Sequence, residues 1–142
     1  ISACDRETAQ AKIFQSKLLY VSGGNTFYLL QELKKKQLLS LIKEQIADGM
    51  VYVGESAGAI ITTKDIDYNK LMDDKGVAAE LHDTGALNEV DFYVLPHVGE
   101  EPFVESAQAT LDTYSDQLNL LPLNNRQAVL VEGEEVKVLE DK

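Results

Sequence analysis

The 142-residue chain is poor in cysteine, in basic residues and in long apolar runs, and each shortage excludes a class of protein. Its one cysteine, Cys4, has no partner for an internal disulfide and no second thiolate for a metal site. Basic residues number 13 against 24 acidic ones, so a net charge of −11 repels nucleic acids and anionic membranes. No apolar run approaches the ~20 residues of a membrane helix, and no signal-peptide pattern opens the chain. We therefore expect a cytoplasmic protein without nucleic-acid or membrane partners.

The chain does contain alternating strand and helix patterns. Short apolar runs that end in turn residues predict strands over 17–21, 50–53, 92–95, 120–123, 128–131 and 136–139. Apolar residues at helical spacing predict helices over 5–16, 26–36, 38–48 and 103–118, with a further helix after residue 56. Residues 62–90 are polar and weakly patterned, which is typical of a site-forming loop. We expect residues 1–142 to form one α/β domain, a flavodoxin-like parallel sheet with helices on both faces.

A glycine-flanked serine is the first candidate for chemistry. Residues 54–58 (GESAG) match the G-x-S-x-G pattern, in which a sharp strand-to-helix turn lifts a serine hydroxyl above the sheet. Ser56 would then lie at a helix N-terminus, where the helix dipole and the N–H of Ala57 can stabilise an oxyanion. The alternative is a turn of small residues that lets a helix pack closely on the sheet.

A serine nucleophile needs a base, and His97 is the better of the two histidines. It follows the strand predicted over 92–95, so it would emerge beside Ser56 if that strand neighbours the one over 50–53. The alternative for His97 is a structural role, and His82 in the long loop is expected to be solvated. Asp65 gives a Ser, Asp, His order in the chain and is the predicted acid. Further acidic candidates are Asp67 and Glu132, and Glu55 is expected to line the pocket.

A second glycine turn follows the first predicted strand. Residues 22–26 (SGGNT) would open a helix, and the glycines let backbone N–H groups approach a ligand. The loop would complete an oxyanion hole or hold an anion, or it is a tight turn capped by Asn25. It matches neither a Walker loop nor a G-x-G-x-x-G pattern, so a nucleotide is not expected.

Together these segments resemble peptidase family S51, the serine peptidases of the dipeptidase E and cyanophycinase type. The resemblance rests on residues 20–27 (YVSGGNTF), 54–59 (GESAGA), 62–65 (TTKD) and 95–97 (LPH). It implies a class I glutamine amidotransferase-like fold, and catalysis by Ser56 and His97 without a metal or cofactor. It also implies an oxyanion hole from Gly24 and Ala57, with Asp65 where the dipeptidase branch carries its acid. The cyanophycinase-like branch uses a later Glu, and residues 124–125 (NN) occupy that neighbourhood here.

The resemblance also sets expectations about substrate and completeness. Family members carry further strands ahead of the SGGNT turn, so we expect the chain to be truncated at its N-terminus. Dipeptidases that prefer N-terminal aspartate have an Arg where this chain has Ile61, and Lys64 or Arg126 would have to replace it. We expect hydrolysis of short peptides, with Asn25 and Glu55 near the substrate. The alternatives are an α/β-hydrolase esterase and a non-catalytic flavodoxin-like module that binds a small anion, and self-association through a sheet edge stays open.

Overall fold

The chain contains both helices and strands, and helices separate the first four strands from one another. The structure, a computed structural model, describes residues 3–141. Its elements are α1 (Arg6–Gln15), β1 (Leu18–Val21), α2 (Thr26–Lys35), α3 (Leu39–Ala47), β2 (Val51–Gly54), α4 (Ala57–Ile60), β3 (Tyr93–Leu95), α5 (Val104–Tyr114), β4 (Leu120–Pro122), β5 (Gln127–Glu132) and β6 (Glu135–Glu140). Short 3₁₀ helices at Asp67–Leu71 and Lys75–Val77 lie within the long polar segment. The α/β prediction is confirmed.

Side-chain caps set where two of the helices begin. The carboxylate of Asp5 accepts a hydrogen bond of 2.8 Å from the backbone N–H of Thr8 at the start of α1. The side chain of Asn25 accepts one of 3.0 Å from the N–H of Tyr28 in α2. These bonds satisfy backbone donors that have no partner inside a helix. The predicted cap at Asn25 is confirmed, and it ties the second glycine turn to α2.

The strands form three separate pairs. β1 pairs with β2 and β3 with β4, both in parallel, whereas β5 and β6 form an antiparallel hairpin. Within residues 3–141, the single continuous sheet that we expected is not seen, because β2 and β3 share no ladder. Instead α4 contacts β1, β2 and β3. This short helix therefore brings the ends of the two parallel pairs together.

The core lies around α2, and the long polar segment is anchored to it. Phe27, Leu30 and Leu33 project from α2 at helical spacing and are fully buried. Ile66 and Leu87, from the segment over 62–90, are fully buried in the same cluster. Burying a side chain of this size stabilises the fold by about 1.5–3 kcal/mol. The segment over 62–90 is therefore packed against the core by these buried side chains.

The helices of the described part are short. The longest is α5 with 11 residues, and no helix within residues 3–141 is both long and apolar enough to cross a bilayer.

Candidate active site

Ser56 lies on a strained turn between β2 and α4. Its backbone has φ 53° and ψ −112°, a conformation that L-residues rarely adopt. Such strain costs on the order of 1–3 kcal/mol and persists only where the surrounding structure imposes it. The turn has the form that the G-x-S-x-G pattern predicts. The helix that follows has only four residues, so the predicted stabilisation by a helix dipole is small.

The two glycines of the pattern are required by close backbone packing. A Cβ on Gly54 would lie 2.4 Å from the carbonyl oxygen of Gly58. A Cβ on Gly58 would lie 2.0 Å from the carbonyl oxygen of Val21 in β1. Both distances are far below van der Waals contact. The close packing of helix on strand, our alternative explanation of the motif, is therefore real, and it also fixes the turn that carries Ser56.

His97 contacts the hydroxyl of Ser56. The distance from Ser56 Oγ to His97 Nε2 is 2.9 Å, a hydrogen bond, although the two residues are 41 positions apart. His97 follows β3 and Pro96, with φ 65°. Its ring stacks on Phe103 with the ring centroids 4.8 Å apart. The stacking and the hydrogen bond together hold the imidazole over the serine.

The other ring nitrogen of His97 is bound by an amide. His97 Nδ1 lies 2.7 Å from Asn125 Oδ1, in the turn between β4 and β5. Because an amide oxygen can only accept, the pair keeps the proton on Nδ1. The lone pair of Nε2 then faces the hydroxyl of Ser56, as a general base requires.

Asp65, the acid predicted from the sequence, is not the partner of His97. Its Oδ1 accepts hydrogen bonds of 2.8 Å from the N–H of Asp67 and 2.7 Å from the hydroxyl of Thr84. Its backbone forms an isolated bridge with Gly85. Asp65 therefore holds two stretches of the long segment together, and its assignment to a catalytic triad has no geometric support.

The alternative acids also lie elsewhere. Asp67 is bound by Lys70 and Lys75, and hydrogen bonds from these ammonium groups lower the pKa of its carboxyl group. Glu132 ends β5 and is exposed. Asn125 was not predicted for the orienting role, because its side chain is an amide and all the candidates for that role were carboxylates.

The two residues predicted for an oxyanion hole flank the nucleophile, since Ala57 follows Ser56 in the chain and Gly24 lines the same cleft as Ser56. Gly24 has φ 131°, and the neighbouring Gly23 approaches Ser56 so closely that a Cβ there would be 3.2 Å from the serine Cβ. Among the backbone hydrogen bonds of residues 3–141, none is donated by Gly24 or Ala57. Ala57 is fully buried and does not line the cleft, so an oxyanion hole formed by these two N–H groups stays a prediction.

A cleft of about 340 Å³ opens beside the serine and the histidine. Asn69 and Asp73, which come from the long polar segment, were not predicted, although that segment was expected to form the site. The residues that line the cleft are Gly24, Asn25, Ser56, Ile60, Asn69, Met72, Asp73, Pro96, His97 and Phe103.

The residues predicted to bind substrate differ in their positions. Asn25 lines the cleft, but its amide already caps α2 and donates a 2.9 Å hydrogen bond to the carbonyl of Asp74. Glu55 is absent from the lining and is hydrogen bonded to the hydroxyl of Tyr20, a contact that raises the pKa of that hydroxyl. The structure therefore does not place Glu55 in the lining of this cleft, and its predicted role in substrate binding stays a prediction.

The cationic candidates, Lys64 and Arg126, lie outside the cleft. Arg126 donates a 2.8 Å hydrogen bond to the carbonyl of Asp141, and Lys64 is exposed; neither lines the cleft. His82 is exposed, as predicted. In the part of the chain that the structure describes, no group of three or more His, Cys, Asp or Glu residues could hold a metal ion.

Comparison with known proteins identifies the family. The model of peptidase family S51 matches residues 2–139, nearly the whole chain. The chain belongs to peptidase family S51. An uncharacterized peptidase of Pasteurella multocida is 52% identical over 123 residues, which are 87% of this chain and 59% of that protein. A peptidase E of a Shewanella strain is 40% identical over 79 residues, which are 56% of this chain and 32% of that protein.

Two solved structures share the fold of this chain. A Listeria monocytogenes protein provisionally described as a peptidase E matches with a TM-score of 0.93 and 39% identity, over 99% of this chain and 67% of its own. A peptidase from an acI-B1 Actinobacterium shares the fold, with a TM-score of 0.70 at 20% identity. The S51 chain spans about 60% of the length of the first curated relatives that it matches.

Proposed function

We propose that this S51 chain carries the nucleophile and base of a serine peptidase that hydrolyses short peptides. The observation that carries the proposal is the 2.9 Å contact between Ser56 Oγ and His97 Nε2, on a strained turn that faces a cleft. A serine hydroxyl is a weak nucleophile unless a base removes its proton, and a neighbouring imidazole is the usual base.

In the proposed reaction, Ser56 Oγ attacks the carbonyl carbon of the peptide bond while His97 Nε2 takes the hydroxyl proton. The oxyanion accepts hydrogen bonds from the N–H groups of Gly24 and Ala57. His97 then gives its proton to the leaving amine, the C–N bond breaks, and an acyl-enzyme remains on Ser56. Water, deprotonated by His97, hydrolyses the ester and restores the serine. Asn125 acts as a positioning residue, since its amide binds the imidazole and not the substrate.

The cleft supports short peptides as substrates more than it supports a preference for N-terminal aspartate. A substrate carboxylate needs a cation, and no Lys or Arg within residues 3–141 lines the cleft. Asp73 does line it, and its negative charge also disfavours a module built to bind small anions. We therefore propose peptide hydrolysis without a requirement for an acidic first residue.

For the fold, we propose that the β1–β2 and β3–β4 pairs belong to the flavodoxin-like, glutamine amidotransferase-like arrangement. Parallel pairing in both, with Ser56 and His97 following the ends of β2 and β3, supports this arrangement. A crystal structure of the protein in which these pairs run antiparallel to one another would contradict it.

The test is turnover of a panel of dipeptides and tripeptides, with the products identified by mass spectrometry. We expect the wild-type protein to release the amine product, Ser56→Ala to release none, and Ser40→Ala to match the wild type. Ser40 is a suitable control because it is exposed on α3, outside the cleft. Ester hydrolysis without any peptide hydrolysis would instead favour an esterase. Turnover that survives Ser56→Ala would contradict the proposal.

A further inference from the structure

A polar cluster beside Ser56 has no task in the proposed reaction. It consists of Thr26 and Asn69, both fully buried, and the half-buried Asp73. The Oδ2 atom of Asp73 accepts hydrogen bonds from the N–H of Thr26 at 2.8 Å, from its hydroxyl at 2.6 Å, and from Asn69 Nδ2 at 3.0 Å. Three donors on one oxygen hold the carboxylate in a fixed orientation.

The amide oxygen of Asn69 is left without a partner. Its Nδ2 donates to Thr26 Oγ1 at 3.1 Å and to the carboxylate of Asp73, whereas Oδ1 is buried and unpaired in the structure. The amide cannot be turned around, because Oδ1 would then face a carboxylate oxygen that has no proton to donate. Buried polar atoms nearly always have a hydrogen-bond partner, and Asn69 is one of the residues that line the cleft, so its amide oxygen lacks a donor that a ligand in the cleft would supply.

The charge of the residues that line the cleft also favours a ligand that donates hydrogen bonds. Asp73 is the one Asp, Glu, Lys or Arg among the lining residues that the structure describes, and no hydrogen bond there uses its Oδ1. The cluster therefore offers acceptors and a negative charge near the nucleophile. An ammonium group is the complementary ligand, since it carries a positive charge and three donors and accepts nothing.

We propose that Asn69 and Asp73 bind a primary ammonium group of the peptide substrate. This inference rests on the proposed function and adds a substrate class to it, namely peptides with an ammonium group close to the scissile bond. Two sources share that chemistry: the free N-terminus of the peptide, and the side chain of a lysine before the scissile bond.

Matched chromogenic substrates separate the two sources. Alanine p-nitroanilide carries only an α-ammonium group, N-acetyllysine p-nitroanilide carries only a side-chain ammonium group, and N-acetylalanine p-nitroanilide carries neither. We expect kcat/KM for one of the first two to exceed that of the third by at least about tenfold, the effect of a charge-assisted hydrogen bond. The preferred substrate identifies the source.

Asp73→Asn tests the role of the carboxylate, because it keeps the shape and removes the charge. We expect the ratio of kcat/KM for the ammonium substrate to that for N-acetylalanine p-nitroanilide to fall by about tenfold or more. Asp48→Asn makes the same change of net charge at an exposed position outside the cleft, and its ratio should equal that of the wild type. Labelling of Ser56 by a fluorophosphonate reports whether each variant keeps an intact site.

Calorimetry measures binding independently of turnover. The three ligands are alaninamide, lysinamide acylated at its α-amine, and N-acetylalaninamide. Ammonium-dependent binding without turnover of any substrate would contradict the proposed function and leave the ammonium site intact. Equal turnover of the three p-nitroanilides, equal binding of the three amides, or a preference unchanged in Asp73→Asn would overturn the ammonium site and leave the peptidase proposal standing.

Discussion

Replacement of Gly58 by alanine tests whether close packing of α4 on β1 positions the nucleophile. The added Cβ would lie 2.0 Å from the carbonyl oxygen of Val21, whereas real Cβ atoms essentially never come closer than 3.0 Å. The contact is with backbone rather than with a mobile side chain. The start of α4 must therefore move away from β1 by at least about 1 Å.

Both the stability and the chemistry should respond to that movement. Overpacking of this kind costs about 1–3 kcal/mol in the free energy of unfolding. Ser56 precedes α4, and its hydroxyl is 2.9 Å from the imidazole nitrogen, so a displacement of about 1 Å breaks the hydrogen bond. A misplacement of that size costs roughly a hundredfold in rate.

The measurements are the urea midpoint and the rate at which a fluorophosphonate labels Ser56. Gly85→Ala is the matched control, because its Cβ would meet only the end of the exposed Asp83 side chain, at 3.2 Å. We expect Gly58→Ala to lower both quantities and Gly85→Ala to change neither by much. If Gly58→Ala unfolds at the wild-type midpoint and labels at the wild-type rate, the packing argument is refuted.

Three further predictions concern residues around the site. Asn125→Ala should lower kcat by roughly tenfold to a thousandfold with little change in KM, because the imidazole loses the amide that holds its tautomer; steady-state kinetics decide. Tyr52→Phe removes a 2.6 Å hydrogen bond to the carbonyl of Gly58 and should cost about 1–3 kcal/mol in urea unfolding, and an unchanged midpoint would show that the bond does not matter. Asp67→Asn should be less stable than the wild type at neutral pH, since ion pairing lowers the pKa of this carboxyl group. That difference should vanish as the pH falls through and below the ordinary carboxyl value of 3.8, where the native group becomes protonated; thermal melts from pH 7 to pH 2.5 test it.

Local sequence patterns predicted most of the secondary structure. The hairpin predicted from 128–131 and 136–139 is found as β5 and β6, and the strands predicted over 17–21 and 50–53 are found as β1 and β2. The helix predicted over 103–118 ends at Tyr114, and residues 115–117 form a turn. The order of the strands, unlike their positions in the chain, depends on contacts between residues that are distant in sequence. The expected single sheet was not observed within residues 3–141.

The candidate site was predictable where the chemistry is local. Ser56 and its two glycines form one continuous motif, and a strand followed by Pro96 and His97 marks an edge where sites gather. The partner of His97 was not predictable, because the side chain of Asn125 is a neutral amide rather than the carboxylate that usually orients a catalytic histidine. Asn69 carried no signal of its own, since its role depends on burial beside Asp73.

The central claim is that His97 activates Ser56, and the rate of fluorophosphonate labelling, with the adduct located by mass spectrometry, tests it most directly. The account predicts one adduct, on Ser56, and a rate that falls by roughly a hundredfold or more in His97→Ala. An adduct on another serine, or equal rates of Ser56 labelling with and without the imidazole, would contradict it.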